Sequence, residues 1–425
     1  MKVQHIFAGA LLCWVLPLTA LTPREEVEAN PLKAGGIYFA YPADEIAAVA
    51  AERPKGYTPF YLSHYGRHGS RYLISDRDYS DIMERLRDAR DKNALTPLGL
   101  DVLQRLDTVW IEAEGRGGEL TPLGTRQHRS IARRAAAAFP EIFKGEDAEV
   151  TAASTVVMRC AHSMFAFMEG LKETNPQLDI ARESSERHMN YLNYHSPESG
   201  PYSSRKGPWY QDYKRFKAQN TQPGRLMSTL FSDPAYVERW VDQDELMWQL
   251  YWLVMDMQNM ETKVSFTDLF TTDELYKMWE TANFNFYATN SSYPLANGEH
   301  TANARNLVRD FLDKANSYVE GNKHGASLRF GHDGNIIPLT ALLKIEGAYS
   351  DAIEPGDLAK GGYANFRISP MASNVQMIFF RNNRTPEDVV VRVLLNEKPA
   401  TLPIESTGPG LYAWPVLKKY MESLL

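Results

Sequence analysis

The sequence is nearly devoid of cysteine: among 425 residues only Cys13 and Cys160 occur. That excludes a disulfide-stapled scaffold, and no cysteine and histidine set has the spacing of a zinc site. A glycine-rich phosphate loop of the Walker type and an internal repeat are also missing. Positive charge is scarce as well. With 46 Lys and Arg against 53 Asp and Glu the chain carries −7, whereas a general nucleic-acid binder usually presents a basic face. An anionic ligand therefore needs a locally positive cleft on an acidic body, which field focusing can supply.

Of long apolar runs there is one, Ile6 to Leu18, containing Leu11, Leu12, Trp14 and Val15. It follows Lys2 and precedes Thr19, Ala20 and Thr22. The run is short for a membrane span and has the pattern of a secretory signal peptide over residues 1–20, cut near Ala20. A single membrane anchor is the rival reading; lipidation of Cys13 is disfavoured because Leu12 stands where a small residue is wanted. With the leader removed Cys160 is alone and no internal disulfide can form, which fits a bacterial periplasmic or secreted protein without a stable membrane span. Val156, Val157, Met158 and Met164 surround Cys160 and mark it as a small buried apolar residue rather than a nucleophile.

What the chain does have is one dense stretch, Tyr61-Leu-Ser-His-Tyr-Gly-Arg67-His68-Gly69-Ser70-Arg71. Thr58 to Leu62 is strand-prone, and the strand is expected to stop there. Gly66 and Gly69 bracket Arg67 and His68, allowing a sharp turn and close approach of a ligand. Asp78 to Arg90 then carries Ile82, Met83 and Leu86 at helical spacing. The loop thus lies between a strand's carboxyl end and a helix's amino end, where α/β proteins bind ligands. Guanidinium forks match phosphate oxygens in geometry and sign. A histidine held between Arg67 and Arg71 should lose its proton to like charge and keep a nucleophilic nitrogen at acidic pH. The chemistry suggested is phosphoryl transfer to His68.

The arrangement of strand, loop and helix recurs. Ala148 to Ser154 reads as a strand before a helical segment, Thr155 to Gly170, with Arg159 near its start. Ser327 to Phe330 reads as a strand leading through Gly331-His332-Asp333-Gly334 into a third helix. Leu95-Thr-Pro-Leu-Gly99 and Leu120-Thr-Pro-Leu-Gly124 each place threonine as N-cap and proline at the first helical position. Asn374 to Phe380 and Val389 to Leu395 alternate as an edge hairpin. Residues 21–57 look like a surface-hugging lead-in with a short helix at Asp44 to Glu52. Residues 171–323 hold five of the eight tryptophans and read as a mainly helical insertion whose aromatic stripe is core; Arg205, Lys206, His188 and His195 are candidates for a cleft mouth.

These motifs resemble the histidine acid phosphatases, branch 2 of the histidine phosphatase superfamily, whose signature is Arg-His-Gly-x-Arg-x-Pro. Here Leu73 replaces the proline, a departure that leaves the phosphate-contacting positions intact. The resemblance implies that His68 attacks phosphorus, that Arg67, Arg71, Arg159 and His332 bind the phosphate, and that Asp333 is the proton donor, with no metal and no cofactor. Leu-Thr-Pro-Leu-Gly-Thr-Arg-Gln-His128 is similar to another family segment, and some basic residues of that helix, from Arg126 to Arg134, are candidates to face the cleft. The run from Arg329 to Leu339 looks like the inositol polyphosphate phosphatases, although that branch usually has His-Ala-Glu, and the His-Asp here is phytase-like.

The expectation is an α/β fold, a sheet with helices on both faces, with residues 21–170 and 324–425 as the core and 171–323 as the inserted helical domain. The function implied is hydrolysis of phosphomonoesters through a phosphohistidine, on a small anionic substrate such as an inositol polyphosphate. A broad or sugar-phosphate acid phosphatase is the alternative within the class, and an idle phosphate-binding surface protein is the alternative outside it.

Overall fold

The computed structural model describes residues 21–42, 53–145 and 147–425. The leader peptide and the helix expected at Asp44 to Glu52 lie outside the described residues. One sheet organises the rest: β1 (Tyr57–Arg67), β2 (Glu149–Ser154), β3 (Ile180–Ser184), β4 (Gly325–Gly331), β5 (Asn374–Asn382), β6 (Val389–Leu395), β7 (Lys398–Pro399) and β8 (Leu411–Ala413). The order is β3-β2-β4-β1-β5-β6-β7, with β8 also on β6. The first four strands are mutually parallel, and β5 turns the sheet antiparallel. Among the described residues no helix is long and apolar enough to cross a membrane.

Both faces of the sheet are covered, as its two-residue period requires. We number the helices α1 (Arg77–Asp91), α2 (Pro97–Ala113), α3 (Pro122–Ala138), α4 (Met158–Thr174), α5 (Gln243–Asp256), α6 (Thr272–Asn290), α7 (Arg305–Glu320), α8 (Asp333–Leu342) and α9 (Trp414–Ser423). Leu62, Ile378 and Phe380 pack with Ile131 and Ala135 of α3 and Phe167 of α4. Their neighbours Tyr61, Met377 and Phe379 point the other way, into Leu307 and Phe311 of α7, Ile336 of α8 and Leu417 of α9. The structure is the expected α/β class with helices on both faces of the sheet.

A third cluster forms the helical body, and its membership differs from the expected insertion. Ile82 and Leu86 of α1 and Leu103 and Leu106 of α2 share it with Leu250 and Val254 of α5, Trp279 of α6 and the lead-in residues Val27 and Ile37. Residues 77–113 therefore pack as part of the helical body, although they precede 171. Conversely, β3 falls within 171–323 yet pairs with β2 in the sheet. Strand pairing and shared apolar burial set these borders, and sequence order is blind to both.

Three local expectations are corrected. β1 continues to Arg67 rather than stopping at Leu62, because Ser63 to Arg67 pair with β4 on one side and Ser63 to Gly66 with β5 on the other. The lead-in does not hug the surface: Ala34 to Tyr38 is a buried 3-10 turn. The predicted hairpin exists, but its first strand lies between β1 and β6, inside the sheet. The two Thr-Pro caps form as the sequence requires, with Gly99 N–H donating to Thr96 Oγ1 at 3.1 Å and Gly124 N–H to Thr121 Oγ1 at 3.2 Å.

Candidate active site

The site gathers at the carboxyl ends of β1, β2 and β4. Arg67 is the last residue of β1 and His68 the first beyond it, while Gly331 ends β4 and His332 follows. Parallel pairing of Arg67 with Gly331 puts these two exits side by side. The third exit, Ser154-Thr155, leads into α4 with Arg159 in its first turn. Helices α4 and α8 thus begin at the site, and their amino ends favour negative charge there.

Glycine at two positions permits this crowding. A Cβ on Gly69 would lie 2.6 Å from the Gly124 backbone of α3, and one on Gly331 would lie 2.1 Å from the Tyr65 hydroxyl. Neither Gly66 nor Gly69 has a positive φ, and Gly66 lies within β1 rather than in a turn; close packing of backbone against backbone is the reason for Gly69.

His68 is buried, and its Nδ1 lies 2.9 Å from the carbonyl of Gly69. A carbonyl only accepts, so Nδ1 carries the proton and Nε2 keeps its lone pair. Burial, then the charges of Arg67, Arg159, Arg71 and His332, hold the imidazole well below its ordinary pKa. The His332 ring stands 5.7 Å from that of His68, with its Nε2 3.2 Å from Thr155 Oγ1. Burial lowers His332 to about 4.

The three arginines are fixed by one edge and open at another. Arg67 donates through Nη1 to the carbonyls of Ile37 (2.6 Å) and Ser369 (2.8 Å). Arg71 donates through Nη1 to Tyr72 O and through Nη2 to the Tyr38 hydroxyl at 3.0 Å. Arg159 reaches Gly118 O at 3.4 Å. Yet Arg67 Nε and Nη2, Arg71 Nε and Arg159 Nε are buried without a hydrogen-bond partner. Leaving charged donors without a hydrogen bond in a protein interior is costly, and a cluster of them marks a place built for an anion. Burial lowers Arg67 to about 10, so it stays charged at neutral pH.

Asp333 is the first residue of α8, not the cap; His332 holds the cap position without a side-chain capping bond. Its Oδ1 lies 3.7 Å from Arg67 Nε. Burial pushes this carboxyl up, but Arg67, His332 and Arg71 together pull it below the usual range. All six residues singled out in the sequence, Arg67, His68, Arg71, Arg159, His332 and Asp333, thus share one electrostatic environment. Among the described residues no group of three or more His, Cys, Asp or Glu is arranged to hold a metal ion.

Other candidates scatter. Arg126, Arg129, Arg133 and Arg134 do not form a wall of the cleft: they pair with Glu261, Glu169, Glu173 and Glu397. From that helix Gln127 and His128 turn inward instead, and Gln127 Oε1 accepts from Ser70 N–H at 2.8 Å. His188 bonds Glu183 and Tyr191. His195 does approach, its Cε1 3.5 Å from where a Cβ of Gly334 would stand, and its pKa responds to Asp333 after burial. Cys160 is buried as expected, but Val156 and Met158 are exposed. The Cys160 Sγ donates to Gly331 O at 3.2 Å and lies 3.6 Å from His332 Nε2, while burial pushes its thiol up to about 12.

A family model for the histidine phosphatase superfamily (branch 2) matches residues 66–396. The chain belongs to that family. No curated protein matches the sequence. Among solved structures, a Bifidobacterium longum multiple inositol polyphosphate phosphatase bound to inositol hexasulfate has a TM-score of 0.73 at 19% identity, over 91% of this chain and 97% of that one. The phytase from D. castellii gives 0.67 at 14%, over 99% and 90%, and Hafnia alvei phytase with tartrate gives 0.55 at 13%, over 88% and 98%. At such identities the likeness is one of fold. This histidine phosphatase has its signature at β1, and the matched span ends one residue past β6.

Sequence reasoning missed the residues that hold the arginines. Tyr38, Ile37 and Ser369 give no chemical signal in a linear reading, since two of them act through backbone carbonyls. Asp256 at the end of α5 was missed as well: it is fully buried, accepts from Tyr79 at 2.8 Å and from Leu73 N–H at 3.1 Å, and burial raises it to about 7.

Proposed function

We propose that the protein hydrolyses phosphomonoesters through a phosphohistidine on His68, with inositol phosphates as substrate. The observation that carries this reading is the set of buried guanidinium donors without a hydrogen bond around a neutral, tautomerically fixed imidazole. Arg67, Arg71 and Arg159 bind the equatorial phosphate oxygens, His332 adds a contact, and charge developing in transfer is met by donors already in place.

His68 Nε2 attacks phosphorus while the ester P–O bond breaks, and Asp333 gives its proton to the departing oxygen. The resulting Asp333 carboxylate takes a proton from water, the water oxygen attacks phosphorus, and the P–N bond breaks to restore His68 and release phosphate. In the free site the Arg67 charge favours ionised Asp333. A bound phosphate occupies that guanidinium and adds negative charge nearby, which raises the carboxyl, so the acid is formed by the substrate.

Inositol phosphates are supported by the fold shared with proteins that carry that activity in their names. The nucleophile comes from the segment 21–170 and the acid from 324–425, with helices of 171–323 walling the approach. We also infer export, from the charged, apolar and small-residue pattern of residues 1–20; N-terminal sequencing of the mature protein tests it. Phosphate release from inositol hexakisphosphate at several pH values, without added metal and with a His68→Ala control, tests the activity. Release lost in that variant is expected; equal release from both overturns the mechanism.

A further inference from the structure

A cavity of about 510 Å³ lies beside the site, a size suited to a small molecule. Tyr38 joins the two. Its hydroxyl accepts from Arg71, whose guanidinium also stands 4.6 Å above the ring, and the same ring forms part of the cavity wall. Leu73, two residues beyond Arg71, lines it too.

The wall is aromatic and acidic. Trp252 lies 5.1 Å from the ring of Tyr38 and 6.3 Å from that of Trp248, forming a continuous aromatic side. Carboxylates come from Asp78, Asp242, Asp244 and Glu245. Against these four stands one lining ammonium, Lys217, 4.6 Å over Trp248; from outside the lining Arg205 acts on Lys217 and Arg85 Nη2 lies 3.8 Å from Glu245 Oε2, which leaves the lining acidic on balance. A smaller cavity of about 160 Å³ shares Lys217, Trp248 and Trp252.

Carboxylates accept hydrogen bonds from hydroxyls and repel phosphates, while aromatic faces pack against the C–H faces of a saturated ring. A site for many phosphates would present the opposite balance of charge. We propose that this cavity is the leaving-group subsite, selecting a saturated, hydroxyl-bearing ring with one or two phosphates over a fully phosphorylated one. The proposal rests on the phosphatase reading: one phosphate sits on the arginines, and the free hydroxyls of the ring face the carboxylates.

The test compares kcat/KM for inositol monophosphate, inositol hexakisphosphate and ethyl phosphate, which has no ring. The wild type is expected to favour the monophosphate over the hexakisphosphate by about tenfold or more, and Trp252→Leu to lower the ratio of monophosphate to ethyl phosphate by about tenfold. The double variant Asp244→Asn, Glu245→Gln is expected to weaken the monophosphate and improve the hexakisphosphate. A wild-type preference for the hexakisphosphate, or variants that move all three esters in parallel, overturns the subsite. Loss of turnover on all three esters in the wild type overturns the phosphatase reading and this one with it; turnover of ethyl phosphate with no preference among rings overturns the subsite alone.

Discussion

Acid should weaken this fold through a buried residue outside the set assigned to phosphate. His128 of α3 is buried with its ring 5.6 Å from Phe330, and burial lowers it to about 3 against the opposing effect of the Arg67 backbone. In the unfolded chain its imidazole titrates near about 6.5. Between those values the unfolded state binds a proton that the native state refuses, so stability is full above about pH 6.5 and declines as pH falls toward 3. From pH 7 to 4.5 the loss from this one group is about 2 to 3 kcal/mol, against a typical total of about 5–15 kcal/mol. His64 and His332 are lowered in the same direction and add to the wild-type slope. His128→Leu removes the titration while keeping the volume close. Urea midpoints followed by tryptophan fluorescence at pH 7, 5.5 and 4.5 should show a shallower pH dependence in the variant, by that amount. Equal slopes in the two proteins would refute the argument that His128 is held neutral by burial.

Asp333→Asn removes the proton donor, so turnover of alkyl phosphates should fall by about 10² to 10⁴, with a smaller loss on p-nitrophenyl phosphate, whose phenolate leaves unaided; equal losses in steady-state rates would count against its role as acid. Because His68 stays neutral well below the ordinary histidine range and His332 titrates at about 4, the acidic limb of kcat/KM should lie at pH 4 or lower, and a limb near 6.5 would contradict the assigned charge states. Gly69→Ala places a methyl 2.6 Å from the Gly124 backbone; a cost of about 1–3 kcal/mol in urea unfolding is expected, with loss of phosphate release, and a variant of unchanged stability would show that the contact is soft.

Much of the site was legible because its chemistry is concentrated in short motifs at strand exits. Arg67-His68-Gly69-Ser70-Arg71 and His332-Asp333 each name their own residue types, and Arg159 could be placed once a strand and a helix were seen around it. Register supplied what the motifs could not: only the pairing of Arg67 with Gly331 shows that two stretches more than 260 residues apart share one rim. The supports were illegible for a different reason. Ile37 and Ser369 act through carbonyls that every residue has, and Tyr38 acts from a buried turn whose carbonyl accepts from Asn259 Nδ2 at 2.9 Å, 221 residues away. The strand's true end was missed because Ser63, His64 and Arg67 are polar, whereas ladder bonds on both sides and buried partners outweigh their propensity. The basic face of α3 misled for the opposite reason, since its arginines find glutamates on neighbouring elements that no local pattern reveals.

The account stands on a covalent bond between His68 and phosphorus, and rapid acid-free quenching of the enzyme with a ³²P-labelled phosphomonoester tests it most directly. Label stable to base and labile to acid, on the peptide containing His68 and absent from His68→Ala, is the predicted result. Turnover without label on that peptide, or label retained in the variant, would contradict it.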